Sequence, residues 1–552
     1  MTERKLADSP AESSEKEEDD PWFTVDDAVE KVGFGRFQIY LSVFTGMIWM
    51  VDAMEIMIMS IISPAARCAF ELSDVEVAMI TVVVFVGVLI GAPIWGYLTD
   101  RYGRHQCLML SSAFIGVYGA ASAFSPNYYW LLALRFLAGF NLACTPQAMT
   151  YYSEFLPSSV RGTCVVFIEV FWSIGTVFET ALAMAVMPAL GWRYLLGFSA
   201  IPVTVSTVVF AFFPESPHFL MAIGKRERAL SVLKRIAKAN KKEMPIGKLV
   251  SVEAKQERDE QRKQQSVAVF PPDVGSDSDA SQSVDVATRQ PGSPVQSSAS
   301  PDTFYPSDGE GNPLIYTVNP DEPCAEVNSV RGYGLKDLFS TRQVGQSTIL
   351  LGFIWFSLSF IYYGVALMTV EVLTVDLVVN GTNGTMHCVN KLDVSGSKCE
   401  LSQSDYITTL WTTAAEFPGL LITIGLMYVM GRRNTIRLEF VFVTVFYALL
   451  LKCNVAKTTT LLFIFGVRAL ITGVFQAVYV YTPEVYPTPV RAMGLGICST
   501  VSRLGSLSTP FVAEVVLRRS LIAGKLIYTA VGALGFIAAV FLPIETKGRA
   551  LN

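Results

Sequence analysis

Twelve apolar runs of bilayer-crossing length constrain this chain more than any other feature. We place them at roughly 39–62, 77–98, 106–125, 129–151, 163–187, 193–213, 346–372, 406–430, 435–453, 458–482, 493–517 and 522–543, against the ~17–25 residues a helical crossing needs. They form two sets of six. The composition agrees: the chain is 51% hydrophobic and 16% charged, where a soluble domain carries about 25% charge. The reading is an all-α polytopic membrane protein with twelve transmembrane helices in two six-helix bundles.

The expected organisation is an acidic N-terminus (1–38), a first bundle (39–213), a polar loop (214–345), a second bundle (346–543) and a short C-terminus (544–552). The first residues (ESSEKEEDD) contain no apolar h-region, so no cleaved signal peptide is expected and the first span directs insertion. Arg101, Arg104, Arg161, Lys225 to Arg228, Arg432, Arg433, Arg437, Arg491, Lys547 and Arg549 concentrate positive charge on one side. The positive-inside rule makes that side cytoplasmic, and both termini with it. Tandem sequons at Asn380 and Asn383 fall on the opposite side, as glycosylation requires. Cys388 and Cys399 share that loop and suit a disulfide in an oxidising lumen; the other seven cysteines read as small apolar packing residues.

Within the central loop, GKRERALSVLKRIAKANKK has apolar residues at helical spacing on a basic background, predicting an amphipathic helix on the inner membrane surface. Residues 264–330, rich in Ser, Pro, Asp and Gly, are expected to be disordered, with cytoplasmic partners or kinases acting there.

GAPIWGYLTDRYGRH (91–105) joins spans two and three. Small residues let helix ends approach, Asp100 is placed to accept from the next helix's amides, and Arg101 and Arg104 sit among headgroups; the plainer alternative is an ordinary positive loop. The spacing resembles the major facilitator superfamily. In the second half the corresponding loop, YVMGRRN, has Tyr428 and Val429 at the acidic and basic positions, which weakens the expectation that both halves lock alike. Glu154 with Arg161 and Glu484 with Arg491 recur at equivalent places after spans four and ten, the mark of two duplicated halves. We expect these charges to pair across helix ends and to act as gates with Asp100, Arg101 and Arg104. With PESPHFL after span six and PIETKG after span twelve, the chain is similar to the sugar-porter and organic-ion branch. Motifs in order (TVDDAVEKVGFGRFQ, MVDAMEIM, IEVFWSIGTVFE, GFIWFSLSFIYYG, LWTTAAEFPG, YVYTPEVYPTPVRAMGLG) resemble the synaptic vesicle 2-related protein group over nearly all of 22–548. That resemblance implies a transporter in a vesicle membrane, or in the plasma membrane, and names no substrate.

Polar stripes at helical spacing occur in spans one, five, eight and ten, which predicts a water-accessible cavity between the bundles. Asp52, Glu55, Glu179 and Glu416 are the proton-coupling candidates, Asp52 first because similar porters carry an acid near this point. Arg503, Trp49, Glu169, Trp172, Tyr363, Gln476 and Tyr479 are the substrate-binding candidates. Arg503 stands where resembling organic-anion carriers have arginine, and a guanidinium holds a carboxylate bidentately. The competing reading pairs Arg503 with Glu416 or another wall carboxylate. Any single carboxylate could equally be a packing partner, and the aromatics could serve as interfacial anchors.

No Walker sequence, metal-ligand spacing or nucleic-acid-binding patch is present; His105, His218 and His387 fall in separate loops. We therefore expect no enzyme activity, no cofactor, no metal and no nucleic acid. The function expected is secondary active transport, by a monomer, of a small organic anion or zwitterion together with protons. A transporter fold kept as a vesicle interaction protein is the rival, and an organic cation or sugar carrier a further alternative.

Overall fold

The computed structural model describes residues 21–269, 335–339, 341–374, 401–452, 457–486 and 490–547. The sequons at Asn380 and Asn383, Cys388 and Cys399, and most of the 264–330 insert lie outside them. Met1–Gln256 with Tyr333–Asn552 forms one compact unit, and Glu257–Gly332 a second. Residues 264–269, expected to be disordered, close the helix Val252–Val269.

In the first unit, Arg36–Phe70, Asp74–Tyr102, Arg104–Ser122, Tyr128–Leu142 with Gln147–Ser153, Ser158–Leu190, and Trp192–Phe210 make passes one to six. Arg342–Thr374, Gln403–Ala414 with Glu416–Met430, Arg432–Leu450, Lys457–Val485, Arg491–Pro510 with its continuation to Arg519, and Leu521–Val540 make passes seven to twelve. Eight of these are by themselves long and apolar enough to cross a membrane. Passes three, four, nine and eleven are shorter, interrupted or more polar, and they complete the bundles by packing.

The two halves pack on one plan. Pass one lies on five, two on four and three on six; seven lies on eleven, eight on ten and nine on twelve. Small residues make the close crossings. A Cβ at Gly175 would stand 2.4 Å from the Met50 carbonyl oxygen, and one at Gly505, the matching position of the repeat, 2.4 Å from that of Phe356. Between halves, pass two meets eleven and pass five meets eight.

Local chemistry sets the ends. Ser73 with Glu76 and Ser402 with Asp405 form capping boxes that start passes two and eight. Gly103 (φ 107°) and Gly431 (φ 86°) end them in a backbone region that side chains rarely adopt. In pass eleven, Pro510 cannot donate to the helical ladder, and a π-helical turn, Phe511–Val516, follows it and carries Glu514.

With an even number of passes, residues 21 and 547 share one side, here called the terminal face. There the predicted amphipathic helix forms, as Arg226–Asn240, but its position corrects the expectation. Ala229, Val232, Leu233, Ile236 and Ala237 are buried inside the protein, against the helices Val25–Val32 and Pro217–Ala222, instead of in lipid. A two-residue parallel pairing of Trp22–Phe23 with Lys248–Leu249 ties the N-terminal segment to the same layer. Asn240 reaches the start of pass one: its Oδ1 accepts from the Phe37 amide at 3.0 Å and its Nδ2 donates to Gln38 at 2.8 Å.

Cys68, at the opposite end of pass one, is disulfide-bonded, while Cys107, Cys144, Cys164 and Cys498 are free. The expectation that cysteines outside the 388–399 loop merely pack is corrected for Cys68.

Candidate functional site

A cavity lies between the halves. Passes one and five contribute Trp49, Asp52, Glu169 and Trp172; Pro146 enters at the break in pass four. From the second half come Tyr362, Tyr363, Leu420, Thr472, Phe475, Tyr479, Ser499, Ser502 and Arg503. Six of the seven predicted substrate residues are thus brought together, with Asp52 among them. Gln476 is buried and does not line the cavity. Tyr362, Phe475, Ser499 and Ser502 were missed by sequence reading. The register of the repeat could have found the two serines, because Ser499 and Ser502 match Glu169 and Trp172.

The walls differ in charge. The first-half wall carries both carboxylates, and the second-half wall carries the guanidinium of Arg503. Aromatic rings run between them: Trp49 to Trp172 at 5.6 Å between centroids, Trp172 to Tyr362 at 6.0 Å, Tyr362 to Phe475 at 5.5 Å and Phe475 to Tyr479 at 5.5 Å. Trp49 Nε1 donates to Glu169 Oε2 at 3.2 Å, and Trp172 Nε1 donates to the Tyr362 hydroxyl across the halves.

The other three carboxylates expected to couple to protons do not line this cavity. Glu55 is ion-paired with Arg135 at 2.8 Å, whose Nε and Nη2 also reach Ser122 Oγ. Glu179 accepts from Ser199 Oγ at 2.8 Å. Glu416 pairs with Arg468 at 3.3 Å and accepts from Thr176 and Tyr362, each at 3.3 Å. The competing reading of Arg503 is therefore corrected with respect to Glu416, which has its own cation in pass ten.

At the terminal face the gating residues also take partners other than those expected. Glu154 pairs with Arg104 at 2.8 Å, and Arg161 with Asp26 at 3.7 Å, instead of with each other. Burial pushes the Glu154 carboxyl above its usual range, against the pull of Ser216, Arg104 and His218. The acceptor for the third helix's amides is not Asp100, whose side chain is 78% exposed and 4.0 Å from Arg104, but Glu215 of PESPHFL, which takes the His105 amide at 3.0 Å. Arg101 is exposed and donates to the Tyr97 hydroxyl. In the second half, Glu484 pairs with Arg432 at 3.3 Å and Glu545 of PIETKG accepts from the Arg432 amide at 3.2 Å, while Arg491 lies half-buried at the start of pass eleven. The departure at Tyr428 and Val429 leaves the charge cluster in place: Arg104, Glu154 and Glu215 are matched by Arg432, Glu484 and Glu545.

The N-terminal helix joins this layer. Partial burial raises the Asp27 carboxyl, but bonds from Lys255 and Thr24 outweigh it and hold the group below its usual range. On the opposite face, ion pairs cross between halves: Arg67 reaches Glu514 at 3.3 Å and also pairs with Asp74, and Arg518 lies 3.9 Å from Asp74. Sequence reading assigned none of these four to a site. Arg67, Asp74 and Arg518 sit near helix ends like ordinary surface charges, and only folding brings Arg67 to Glu514 and Asp74 to Arg518.

Two six-helix halves of one packing plan, enclosing a polar and aromatic cavity, define a membrane transporter and not an enzyme. The sequence model described as "Sugar (and other) transporter" matches residues 15–272 and 383–552, and the chain belongs to that family. The synaptic vesicle 2-related protein of Xenopus laevis is 39% identical over 534 residues, 97% of this chain and 83% of that one. Organic cation/carnitine transporter 7 of Arabidopsis thaliana is 33% identical over 535 residues, covering 96% of each. The inward-open structure of the xylose transporter XylE from E. coli superposes with a TM-score of 0.60 at 15% identity, over 93% of this chain and 98% of that one, and shares the fold.

Proposed function

We propose that this transporter carries a small organic anion or zwitterion by alternating access, coupled to protons. The observation that carries the reading is the cavity between the halves, acidic on one wall and cationic on the other. Two carboxylates against one guanidinium leave an acid without a cation of its own at mid-membrane, which is costly unless a ligand or proton engages it. Arg503 anchors the substrate's carboxylate, Ser499 and Ser502 assist, and the rings of Trp49, Trp172, Tyr363 and Tyr479 hold its body. Asp52 is the proton-linked group, because among the four candidates it alone faces the cavity; Glu55 and Glu416 are neutralised by their own arginines. The Arabidopsis relative's name pairs organic cations with carnitine, which is in keeping with an acidic wall.

The gates lie at both ends. The charge triads of the terminal face hold each half rigid, while Arg67, Asp74, Glu514 and Arg518 clasp the halves together opposite. The terminal face is cytoplasmic and the membrane that of a vesicle, by the positive-inside rule and the vesicle-related relatives. The rival, a transporter fold kept for docking, leaned on a degraded lock in the second half, and the Arg432–Glu484–Glu545 triad removes that support.

The test is thermal stabilisation of the purified protein by organic anions, zwitterions, cations and sugars at pH 5.5 and 7.5, followed by uptake of the hit into proteoliposomes. A ligand bound only by the folded state raises the melting temperature. We expect a carboxylate-bearing hit that Arg503→Asp abolishes and uptake whose pH dependence Asp52→Asn removes. A sugar or cation hit that Arg503→Asp leaves intact overturns the reading.

A further inference from the structure

We infer that the helix Arg226–Asn240 carries a binding site for anionic phospholipid headgroups. Their phosphates lie along the stripe Arg228, Ser231, Arg235 and Lys238, in the leaflet of the terminal face. The site is separate from the cavity and does not depend on what the cavity carries.

Position comes first. Pass six exposes Phe198, Ile201, Val205, Val208 and Phe212 at spacings of three and four, so these side chains make its lipid-facing stripe. Phe212 ends that stripe, and its carbonyl oxygen accepts from Arg235 Nη2 at 3.0 Å. Five residues further on, Asn240 accepts the Phe37 amide at the start of pass one, where Tyr40 and Val43 are exposed. The helix therefore crosses the ends of passes one and six at the height where acyl chains give way to headgroups. Its apolar side is already buried in the protein, so it meets the membrane by a polar flank.

The charge of that flank selects the ligand. Residues 225–242 hold eight cations and one acid, Glu227. The ion pairs of the first half's terminal face use Arg104, Arg161 and Lys255, so none of the eight has a carboxylate partner among the described residues. Arg228, Ser231, Arg235 and Lys238 recur at spacings of three and four and are all exposed, which sets them on the flank that Arg235 turns toward Phe212. A guanidinium takes a phosphate through two parallel N–H bonds, and a lysine takes it as a point charge. Directly below Arg235 the apolar stripe of pass six continues into the bilayer. A ligand with a phosphate above and an acyl chain beneath fits both surfaces, whereas a soluble anion or an acidic protein segment uses only the upper one. The positive-inside reading makes this leaflet the cytoplasmic one, where anionic lipids concentrate.

The experiment places the full-length protein in phosphatidylcholine vesicles with a trace of spin-labelled phosphatidylserine or phosphatidylcholine. Electron paramagnetic resonance then reads the fraction of each label held at the protein. We expect phosphatidylserine to be held about threefold more strongly at 0.05 M salt, and the preference to disappear at 0.5 M as the charges are screened. Arg228→Gln with Lys238→Gln removes most of the preference. Arg226→Gln with Lys234→Gln, the same loss of charge on the other flank, leaves it in place. Arg235 is kept in both, because its bond to Phe212 holds the helix. Absence of the preference in the wild type overturns the inference, as does its survival in Arg228→Gln with Lys238→Gln. Equal losses in the two pairs reject the stripe in favour of diffuse attraction. If inositol hexakisphosphate in solution raises the melting temperature of the protein in detergent while phosphatidylserine shows no preference, the ligand is a soluble polyphosphate and the lipid site is rejected.

Discussion

The two halves of this transporter share a backbone and differ in chemistry. Passes pair in the same order in each, Gly175 and Gly505 make matching close crossings, and a triad of arginine and two glutamates fixes each terminal end. Yet at matching cavity positions one half presents Glu169 and Trp172 and the other Ser499 and Ser502. Duplication therefore supplied a scaffold in which helix packing was kept while the cavity walls became opposite poles.

The buried ion pairs offer the largest test of that comparison. Arg135 is fully buried against Glu55, and its removal strands a carboxylate; Arg135→Ala should cost about 3–5 kcal/mol in a chemical-denaturation series. Arg468→Ala should cost less, about 1–3 kcal/mol, because Thr176 and Tyr362 still donate to Glu416. Equal losses would mean that the extra donors of the second half contribute nothing.

Exchanging the walls is the next step down. Glu169→Ser combined with Ser499→Glu moves one acid across the cavity without changing its formal charge. The ligand found by thermal stabilisation should bind about tenfold more weakly, or ~1.4 kcal/mol. Unchanged affinity would show that the placement of charge between the halves does not govern recognition.

A smaller effect separates motif from function at the terminal face. Glu215→Ala removes the acceptor for the His105 amide and should lower stability by about 1 kcal/mol. Asp100→Asn, on an exposed side chain, should stay within about 0.5 kcal/mol. The reverse order would return Asp100 to the role its motif suggests.

The smallest effect concerns the N-terminal helix, which the first half has bound to its terminal face. Asp27 is held below its usual value, so its contribution is complete above about pH 4 and is lost as pH falls through the lowered folded value. Hydrogen-exchange protection of 22–32, corrected for intrinsic rate, should fall on acidification below that point and lose this pH dependence in Asp27→Asn. A pH-independent Asp27 wild type would leave the helix held by apolar packing alone.

Much of the cavity was legible in the sequence because polar residues at spacings of three and four in apolar helices have few places to point other than inward. Trp49, Asp52, Glu169, Trp172 and Tyr479 follow from that logic. The pairing of charges did not follow from it. Glu154 and Arg161 look like partners along the chain, but Glu154 lies on Arg104 of another loop, and Glu416 finds Arg468 instead of Arg503. An ion pair forms at a few ångströms, and that separation is fixed by how rods pack, not by spacing within one rod.

The sequence by itself determined the class, the twelve passes and the duplicated halves, because the bilayer imposes helix length and apolarity residue by residue. The tertiary structure alone decided which carboxylates face the cavity and which are neutralised, and that the halves are clasped by Arg67, Asp74, Glu514 and Arg518. Those outcomes depend on contacts between residues from 52 to 447 positions apart, set by the crossing of helices at small residues, and no local pattern encodes them.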